Sequence, residues 1–258
     1  MTAEPRARAR GGPAPADSGP ATAPPCGLGA LWAVRHGEST ANLAFAAAAV
    51  SRSTEPVAGR DRDVPLSPFG VRQAEALGRW LADQDRESGP DLVVCSPYLR
   101  ARQTWHGMRE SAAGRGVPPV ETVVDERLRD RETGIFELHP PTAVQARSPE
   151  EASRRRLLGE WHYRPPGGEA LTDVALRVRQ FMSDLAQAAS GRRVLLVTHD
   201  GVLLALRHAL AGIGAATPGH LPPVPNASLS HWAPDGRTLR LHTWGDTAHL
   251  AGLSPTPS

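Results

Sequence analysis

Lysine is absent from this 258-residue chain, so all 29 of its Lys or Arg positions are arginine. The absence excludes catalysis through a lysine Schiff base and any phosphate-binding loop that depends on a lysine side chain. Because aspartate and glutamate together number 27, the formal net charge is only +2. A charge this small gives little electrostatic support for nucleic acid as a partner.

Cysteines and long apolar runs are also scarce. Cys26 and Cys95 are too few for a disulfide scaffold or a cysteine-rich metal site, which favours the reducing cytoplasm. No stretch approaches the roughly 18 consecutive apolar residues of a membrane span. The basic N-terminus lacks the apolar core of a signal peptide. We therefore expect a cytoplasmic protein with no membrane partner.

The sequence contains no HExxH motif, no paired cysteine motif and no carboxylate cluster spaced for ligation, so we expect no metal and no cofactor. Gly-x-Ser-x-Gly is absent as well, which speaks against an ordinary serine hydrolase. Residues 1–26, rich in Ala, Pro and Arg, are expected to form a disordered leader, with a basic tail for nucleic acid or lipid as the alternative. One domain is predicted at 27–251, followed by a flexible tail at 252–258.

Short apolar runs alternate with helical patterns along this domain. Strands are predicted at 31–34, 91–95, 120–125 and 193–198, an antiparallel pair at 227–244, and helices at 68–83, 98–111, 150–159, 169–189 and 202–211. The alternation predicts an α/β fold, a three-layer sandwich with a mostly parallel central sheet flanked by helices. Ligands of such sheets bind beyond the carboxyl ends of the strands.

Polar clusters follow three of the predicted strands, at 35–37, 96–100 and 199–200. Alone, a histidine after a strand is usually a cap, and a lone arginine is usually a solvated charge. Together, the guanidinium forks of Arg35 and Arg100 suit a phosphate dianion. An imidazole such as that of His36 can be a nucleophile toward phosphorus in such a pocket.

Four blocks of the sequence resemble those of the histidine phosphatase superfamily, also called phosphoglycerate mutase-like. The blocks are Val34–Ser39 (VRHGES) with Asn42, 63–67 (DVPLS) with Gly70 and Gln73, 96–101 (SPYLRA) and 197–199 (VTH). They occur in the order and spacing of that family, and the resemblance spans residues 27–250. A single RHG triplet would be weak evidence, whereas four blocks in register are strong evidence.

The resemblance implies a mechanism without metal. His36 would attack phosphorus and become a phosphohistidine, while the Gly37 carbonyl holds the proton on the other ring nitrogen. Arg35, Arg100 and His199 would bind the phosphoryl oxygens. A carboxylic acid would protonate the leaving group and then deprotonate water.

Ser39 and Asn42 follow the predicted nucleophile on the same loop. Both are expected to line the substrate pocket, and the alternative is that they cap the helix that follows them.

The general acid has two candidates. The segment 128–134 (LRDRETG) resembles the family block in which the acid precedes a glycine by four positions. That position is Asp130 here, where glutamate is commoner, and we favour it. Glu132 is close by and has a longer side chain, so it is the alternative. Both carboxylates could also belong to a charged surface turn.

Asp200 departs from the family pattern, which usually has glycine after the second histidine. We expect Asp200 to cap the helix that starts near Val202. The alternatives are that it contacts the substrate or pairs with an arginine.

The block at 130–134 also bears on the type of activity. Cofactor-dependent mutases of the family carry Glu-Arg-His-Tyr-Gly there, whereas this chain has DRETG. We therefore predict a phosphoric monoester hydrolase acting on a small-molecule phosphate ester. Mutase-type phosphoryl transfer and a non-catalytic phosphate-ester-binding module are the alternatives. The segment 143–168 is expected to form a helical cover over the site.

Overall fold

The computed structural model of the chain describes residues 22–85, 87–218, 220–222 and 224–254. Its strands are β1 (Ala30–Arg35), β2 (Leu92–Cys95), β3 (Glu121–Val124), β4 (Arg193–Thr198), β5 (Leu229–Asp235) and β6 (Thr238–Asp246). Its α-helices are α1 (Thr40–Ser51), α2 (Pro68–Ala82), α3 (Leu99–Ala113), α4 (Pro141–Arg147), α5 (Pro149–His162), α6 (Leu171–Ala188) and α7 (Asp200–Ala211). Short 3₁₀ turns lie at 61–63, 126–128, 134–136 and 248–250.

The strands form one sheet in the order β3-β2-β4-β1-β5-β6. The first four of these strands run parallel, and β5 and β6 are antiparallel at one edge. Val197 of β4 is in register with Val34 of β1 and with Cys95 of β2. The carboxyl ends of these three strands therefore lie side by side. This arrangement confirms the predicted α/β fold with a mostly parallel sheet.

Helices cover both faces of the sheet, and alternate strand residues point into two cores. Leu31 and Leu196 pack with α6 and α7, whereas Trp32 and Val197 pack with α2 and α3. A strand that is buried on both faces needs apolar side chains at every position. This need explains the uninterrupted apolar runs of β2 and β4.

Most predicted elements are confirmed within two or three residues, and the cover segment departs furthest from the prediction. It contains two helices, α4 and α5, rather than one, and Gly159 interrupts α5 with a positive φ of 72°. Helix α7 begins at Asp200, two residues earlier than predicted. No helix in the described part of the chain is long and apolar enough to cross a bilayer.

The segment 22–26 of the predicted leader contacts the domain. Thr22 exchanges two backbone hydrogen bonds with Ile213, at 2.9 and 3.0 Å, and the amide of Cys26 donates to Arg237 O at 2.8 Å. The Cys26 side chain is buried in the core. These contacts extend the domain beyond its predicted start at Gly27. The disorder expected of the leader stays a prediction for residues 1–21, which lie outside the described residues, as residues 255–258 of the tail do.

Candidate active site

His36 lies directly beyond the carboxyl end of β1 and is buried. Its amide donates to Thr198 O on β4 at 2.9 Å, so its backbone continues the pairing of the two strands. The ring Nδ1 lies 2.7 Å from the Gly37 carbonyl oxygen, and it must donate there because a carbonyl only accepts. The lone pair of the neutral ring therefore resides on Nε2, as the resemblance implied.

The loop after His36 is held against the start of α2. An added Cβ on Gly70 would lie 2.0 Å from Glu38 O, so only glycine permits this approach. The amide of Glu38 donates to Gln73 Oε1 at 2.8 Å, and the amide of Gly37 donates to Thr104 Oγ1 at 3.0 Å. Gly70 and Gln73 of the second recognised block, together with Thr104, therefore position the loop that carries His36.

Arg100 lies in the first turn of α3, and its buried guanidinium contacts three site residues. Its Nε is 3.3 Å from His36 Nε2, and its Nη2 is 2.7 Å from Asp130 Oδ2. Its Nη1 donates to the main-chain oxygen of Asp61 at 2.6 Å and lies 3.0 Å from Asp61 Oδ1. Burial opposes the charge of Arg100, but the carboxylates of Asp130 and Asp61 hold its pKa above the usual value.

His199 directly follows β4 and is the N-cap of α7, with its side chain fully buried. Its Nε2 lies 2.8 Å from Ser96 Oγ. Its Nδ1 lies 3.3 Å from Asp130 Oδ2, although this contact is too poorly aligned to be a hydrogen bond. The rings of His36 and His199 are 5.1 Å apart between centroids. The structure therefore brings together His36, Arg100, Asp130 and His199, as the sequence predicted.

The charges of the cluster determine its protonation. Burial, helped by His199 and the two arginines Arg100 and Arg35, holds the pKa of His36 well below its usual value. Burial alone would raise the pKa of Asp130, but His199, Arg100 and His36 hold it well below its usual value. At neutral pH the cluster therefore contains an uncharged His36 and an ionised Asp130.

Arg35 and Asp200 form a second ion pair at the edge of this cluster. Arg35 Nη1 donates to Val224 O at 2.6 Å, and Nη2 lies 3.5 Å from Asp200 Oδ2. The N-cap of α7 is His199 and not Asp200, but Asp200 Oδ1 accepts from the first-turn amide of Gly201 at 2.8 Å, so the expectation that Asp200 caps this helix is met in part. The alternative of a pairing with an arginine is confirmed. The pairing offsets the negative charge that Asp200 places beside an anion site.

Ser39 and Asn42 form a capping box at the start of α1. Asn42 Oδ1 accepts from the Ser39 amide at 3.0 Å, and the Asn42 amide donates to Ser39 Oγ at 3.2 Å. Asn226 Nδ2 donates to Asn42 Oδ1 at 3.1 Å and to His36 O at 3.3 Å. The capping alternative is thus observed, and contact of Ser39 or Asn42 with substrate stays a prediction.

A cleft of about 310 Å³ opens beside Arg100. Its walls include Arg60, Asp61, Tyr98, Glu132, Glu137 and Gly167. Asp61 and Tyr98 connect the cleft to the buried cluster, since the Tyr98 ring centroid lies 5.0 Å from Arg100 Cζ. Glu132 is half exposed and pairs with Arg129 at 3.0 Å, so it belongs to the cleft wall and not to the cluster.

Sequence reasoning missed Asp61, and it assigned no contact to Ser96 or Asn226. Asp61 lies in the short 3₁₀ turn at 61–63, and no periodicity or motif in the sequence singles it out. Ser96 belongs to the recognised block at 96–101 and Asn226 to a polar stretch at 226–228, but their partners are distant along the chain. Only the folded chain brings these residues to His36, Arg100 and His199.

Three residues of the cluster could hold a metal ion, since ligand atoms of His36, Asp130 and His199 lie within 4.8 Å of one another. The guanidinium of Arg100 already contacts His36 and Asp130, and a metal cation there would face its positive charge. The charges therefore favour an anion at this place.

Comparison with known proteins identifies relatives over most of the chain. The model of the histidine phosphatase superfamily (branch 1) matches residues 31–247. The "Probable phosphoglycerate mutase GpmB" of Yersinia pestis is 28% identical over 229 residues, which cover 85% of this chain and 94% of that protein.

Solved structures of two phosphatases are also similar. A mycobacterial glucosyl-3-phosphoglycerate phosphatase, solved with VO3, is 26% identical with a TM-score of 0.66, covering 84% of this chain and 99% of its own. The alpha-ribazole phosphatase of Shigella flexneri is 25% identical with a TM-score of 0.66, covering 88% of this chain and 100% of its own. The relatives thus include phosphatases and a protein named as a mutase.

Proposed function

Because the chain belongs to the histidine phosphatase superfamily (branch 1), we propose that it is a phosphomonoesterase acting on a small-molecule phosphate ester through a phosphohistidine on His36. One observation carries the proposal. The neutral His36 ring directs its Nε2 lone pair toward Arg100, whose Nε is 3.3 Å away. A nucleophile and a phosphate-binding guanidinium thus meet in one buried place.

In the first step, His36 Nε2 attacks phosphorus, and the bond from phosphorus to the ester oxygen breaks. The proton stays on Nδ1, and the Gly37 carbonyl oxygen accepts its hydrogen bond and stabilises the ring as it becomes positive. Arg35, Arg100 and His199 bind the phosphoryl oxygens in this proposal. A carboxylic acid beside the site protonates the departing oxygen.

In the second step, water attacks the phosphohistidine. The carboxylate formed in the first step takes a proton from this water, and the nitrogen–phosphorus bond breaks. Free phosphate leaves and His36 returns to its neutral form. We propose that neither step uses a metal or a cofactor, because cationic side chains already supply the positive charge that the phosphoryl group needs.

Hydrolysis is preferred to mutase-type transfer for two reasons. The phosphatases named above share the fold over nearly their whole length. Residues 130–134 (DRETG) also lack the Glu-Arg-His-Tyr-Gly pattern of the cofactor-dependent mutases. We also propose a cytoplasmic location, since Cys26 and Cys95 are free thiols.

The test is phosphate release from p-nitrophenyl phosphate and from glycerol phosphate, with excess chelator, for wild type, His36→Ala and a control variant. His106→Ala is the matched control because His106 is an exposed histidine on α3. We expect activity that survives chelation, persists in the control and disappears in His36→Ala. An acid-labile phosphoenzyme should form on wild type and on His106→Ala but not on His36→Ala.

Two outcomes would contradict hydrolysis. Transfer of the phosphoryl group to a second sugar-phosphate oxygen with little free phosphate would indicate a mutase. Saturable binding of phosphate esters without phosphate release or phosphoenzyme would indicate a binding module.

A further inference from the structure

Asp61 lies against both terminal nitrogens of Arg100, the two donors with which a guanidinium holds a phosphate in a bidentate contact. Its carboxylate lies 3.0 Å from Nη1 and 3.1 Å from Nη2, and its main-chain oxygen accepts from Nη1 at 2.6 Å. A carboxylate on both terminal nitrogens of a guanidinium imitates the two-point contact of a phosphate. A phosphoryl group that binds Arg100 must therefore take the place of the Asp61 side chain.

Asp130, in contrast, is held by several groups, whereas among the described residues only Arg100 donates to the Asp61 carboxylate. Asp130 Oδ1 accepts from the Arg131 amide at 2.8 Å, while Oδ2 faces Arg100 at 2.7 Å and His199 at 3.3 Å. Its main-chain oxygen also accepts from Arg177. Movement of this side chain toward a leaving group would break its contacts to Arg131, Arg100 and His199. Movement of the Asp61 side chain would break only its contacts to Arg100.

The two carboxylates also differ in what they face. Asp61 lines the cleft of about 310 Å³ beside Arg100, and a quarter of its side chain is exposed there. A leaving group needs open space beside the phosphoryl group, and the cleft that Asp61 and Tyr98 border offers such a space next to Arg100. Glu132 lines the cleft too, but Arg129 holds its carboxylate.

We infer that Asp61 exchanges places with the phosphoryl group on Arg100 and is the acid that protonates the leaving-group oxygen, whereas Asp130 stays ionised and positions His199. This inference rests on the proposed phosphatase function. It assigns the two carboxylates different tasks, as expected where neighbouring acids have different surroundings.

The charges around Asp61 support the exchange. Burial raises the pKa of Asp61 even while Arg100 pairs with it, and the nearby carboxylates of Asp130 and Glu137 raise it further. When a phosphate dianion takes the guanidinium, Asp61 loses that favourable partner and gains a negative neighbour. Both changes favour the protonated form, so substrate binding itself prepares the acid.

The chemistry balances as follows. His36 Nε2 forms a bond to phosphorus, and the electron pair of the broken P–O bond passes to the ester oxygen. The Asp61 proton moves to that oxygen and an alcohol leaves, with Asp61 now ionised. Water then attacks phosphorus, gives its proton to Asp61, and the electron pair of the P–N bond returns to His36.

The experiment compares Asp61→Asn, Asp130→Asn and Glu132→Gln on two substrates, in single-turnover kinetics of the full chain. p-Nitrophenol leaves without needing a proton, whereas the alcohol of glycerol phosphate needs one. We expect Asp61→Asn to slow phosphoenzyme formation from glycerol phosphate by about 10²–10⁴-fold and to leave the p-nitrophenol burst nearly unchanged. Asp130→Asn should slow both substrates alike, since it disturbs His199.

A second readout tests the exchange on Arg100. Removing the charge of Asp61 should strengthen inhibition by inorganic phosphate about tenfold, because Arg100 then has a weaker competitor. Asp83→Asn is the control, since Asp83 is an exposed aspartate at the C-terminal end of α2 and belongs to none of the recognised blocks. We expect the control to match wild type in both readouts.

Three results would overturn the inference. One is an Asp61→Asn enzyme that treats the two substrates alike. Another is leaving-group dependence that appears instead in Asp130→Asn or Glu132→Gln. The third is unchanged inhibition by phosphate in Asp61→Asn. A wild-type enzyme that forms no phosphoenzyme from either substrate would refute the proposed function itself, which separates the two failures.

Discussion

At the scale of single residues, one guanidinium organises the site. Arg100 reaches His36 through Nε, Asp130 through Nη2 and Asp61 through both terminal nitrogens. A planar fork with donors in fixed directions can make these contacts together, whereas an ammonium group cannot. The sequence predicted that Arg100 binds phosphate, but it did not indicate that two carboxylates share its guanidinium.

Arg100→Lys should therefore lose most of its phosphatase activity although it keeps the positive charge. We expect kcat/KM to fall by about 10²–10³-fold, since the bidentate contact to the transferring phosphoryl group is lost. Arg102→Lys on the exposed side of the same helix is the control and should match wild type. Activity of Arg100→Lys within a few-fold of wild type would show that charge alone suffices.

A second residue-scale prediction concerns the protonation of His36. Because burial and the neighbouring cations hold its pKa well below the usual value of about 6.5, Nε2 keeps its lone pair as the pH falls through that value. The acid limb of kcat/KM that reports His36 should consequently lie below pH 6.5. Titration of the His36 ring followed by NMR would measure this directly, and a midpoint at or above 6.5 would contradict the account.

At the scale of elements, α6 supports the segment that carries Asp130. Arg177 donates to Arg127 O at 2.6 Å and to Asp130 O at 3.1 Å. Glu169 holds Arg177 at 2.9 Å and accepts from the Glu132 amide at 3.1 Å. The long amphipathic pattern of α6 was readable in the sequence, but its ties to a distant loop were not.

Removing Arg177 should disturb both stability and catalysis. We expect Arg177→Met to lower the free energy of unfolding by about 3 kcal/mol, because it leaves the mostly buried Glu169 short of a partner. kcat should fall while p-nitrophenyl phosphate still binds. Arg179→Met on the exposed face of the same helix is the control for thermal denaturation and kinetics. Equal behaviour of the two variants would refute this role.

The contact between the His36 loop and α2 gives another prediction at this scale. Gly70→Ala places a Cβ against Glu38 O, which must move, and we expect a loss of about 1–3 kcal/mol together with lower activity. Gly114→Ala at the end of α3 is the control, since its nearest neighbour would be 3.6 Å from the new Cβ. Denaturant unfolding and phosphate release measure the two effects, and an unaffected Gly70→Ala enzyme would contradict this packing.

At the scale of the whole molecule, the parallel strand order creates the site. The adjacent strands β2, β4 and β1 deliver Ser96, His199 and His36 at one edge of the sheet. The loop after β3, next in the sheet, carries Asp130. Residues far apart along the chain thereby become neighbours at the carboxyl ends of the parallel strands.

The N-terminal boundary can be tested at this scale. A chain that begins at Thr22 keeps the pairing with Ile213 and the buried Cys26, so it is the reference for a shorter chain. A chain that begins at Leu28 loses those contacts, and we expect it to be less stable by about 2 kcal/mol. Equal Tm values of the two truncated chains would place the boundary at the predicted Gly27.

The sequence by itself predicted the strands, most of the helices and the convergence of His36, Arg35, Arg100 and His199 at one edge of the sheet. Apolar periodicity reports local structure directly, and the parallel order then places the ends of the strands together. It also identified Asp130 as a site residue, which the structure places at the cluster.

Only the tertiary structure decided which partners these residues have. It placed Glu132 outside the cluster, paired Asp200 with Arg35 and brought Asp61 onto Arg100. The physical reason is that such contacts depend on the paths of irregular loops, for which the sequence carries no periodic signal. The arginine that pairs with each of these carboxylates affects its charge and its position, and these pairs form only in the folded chain.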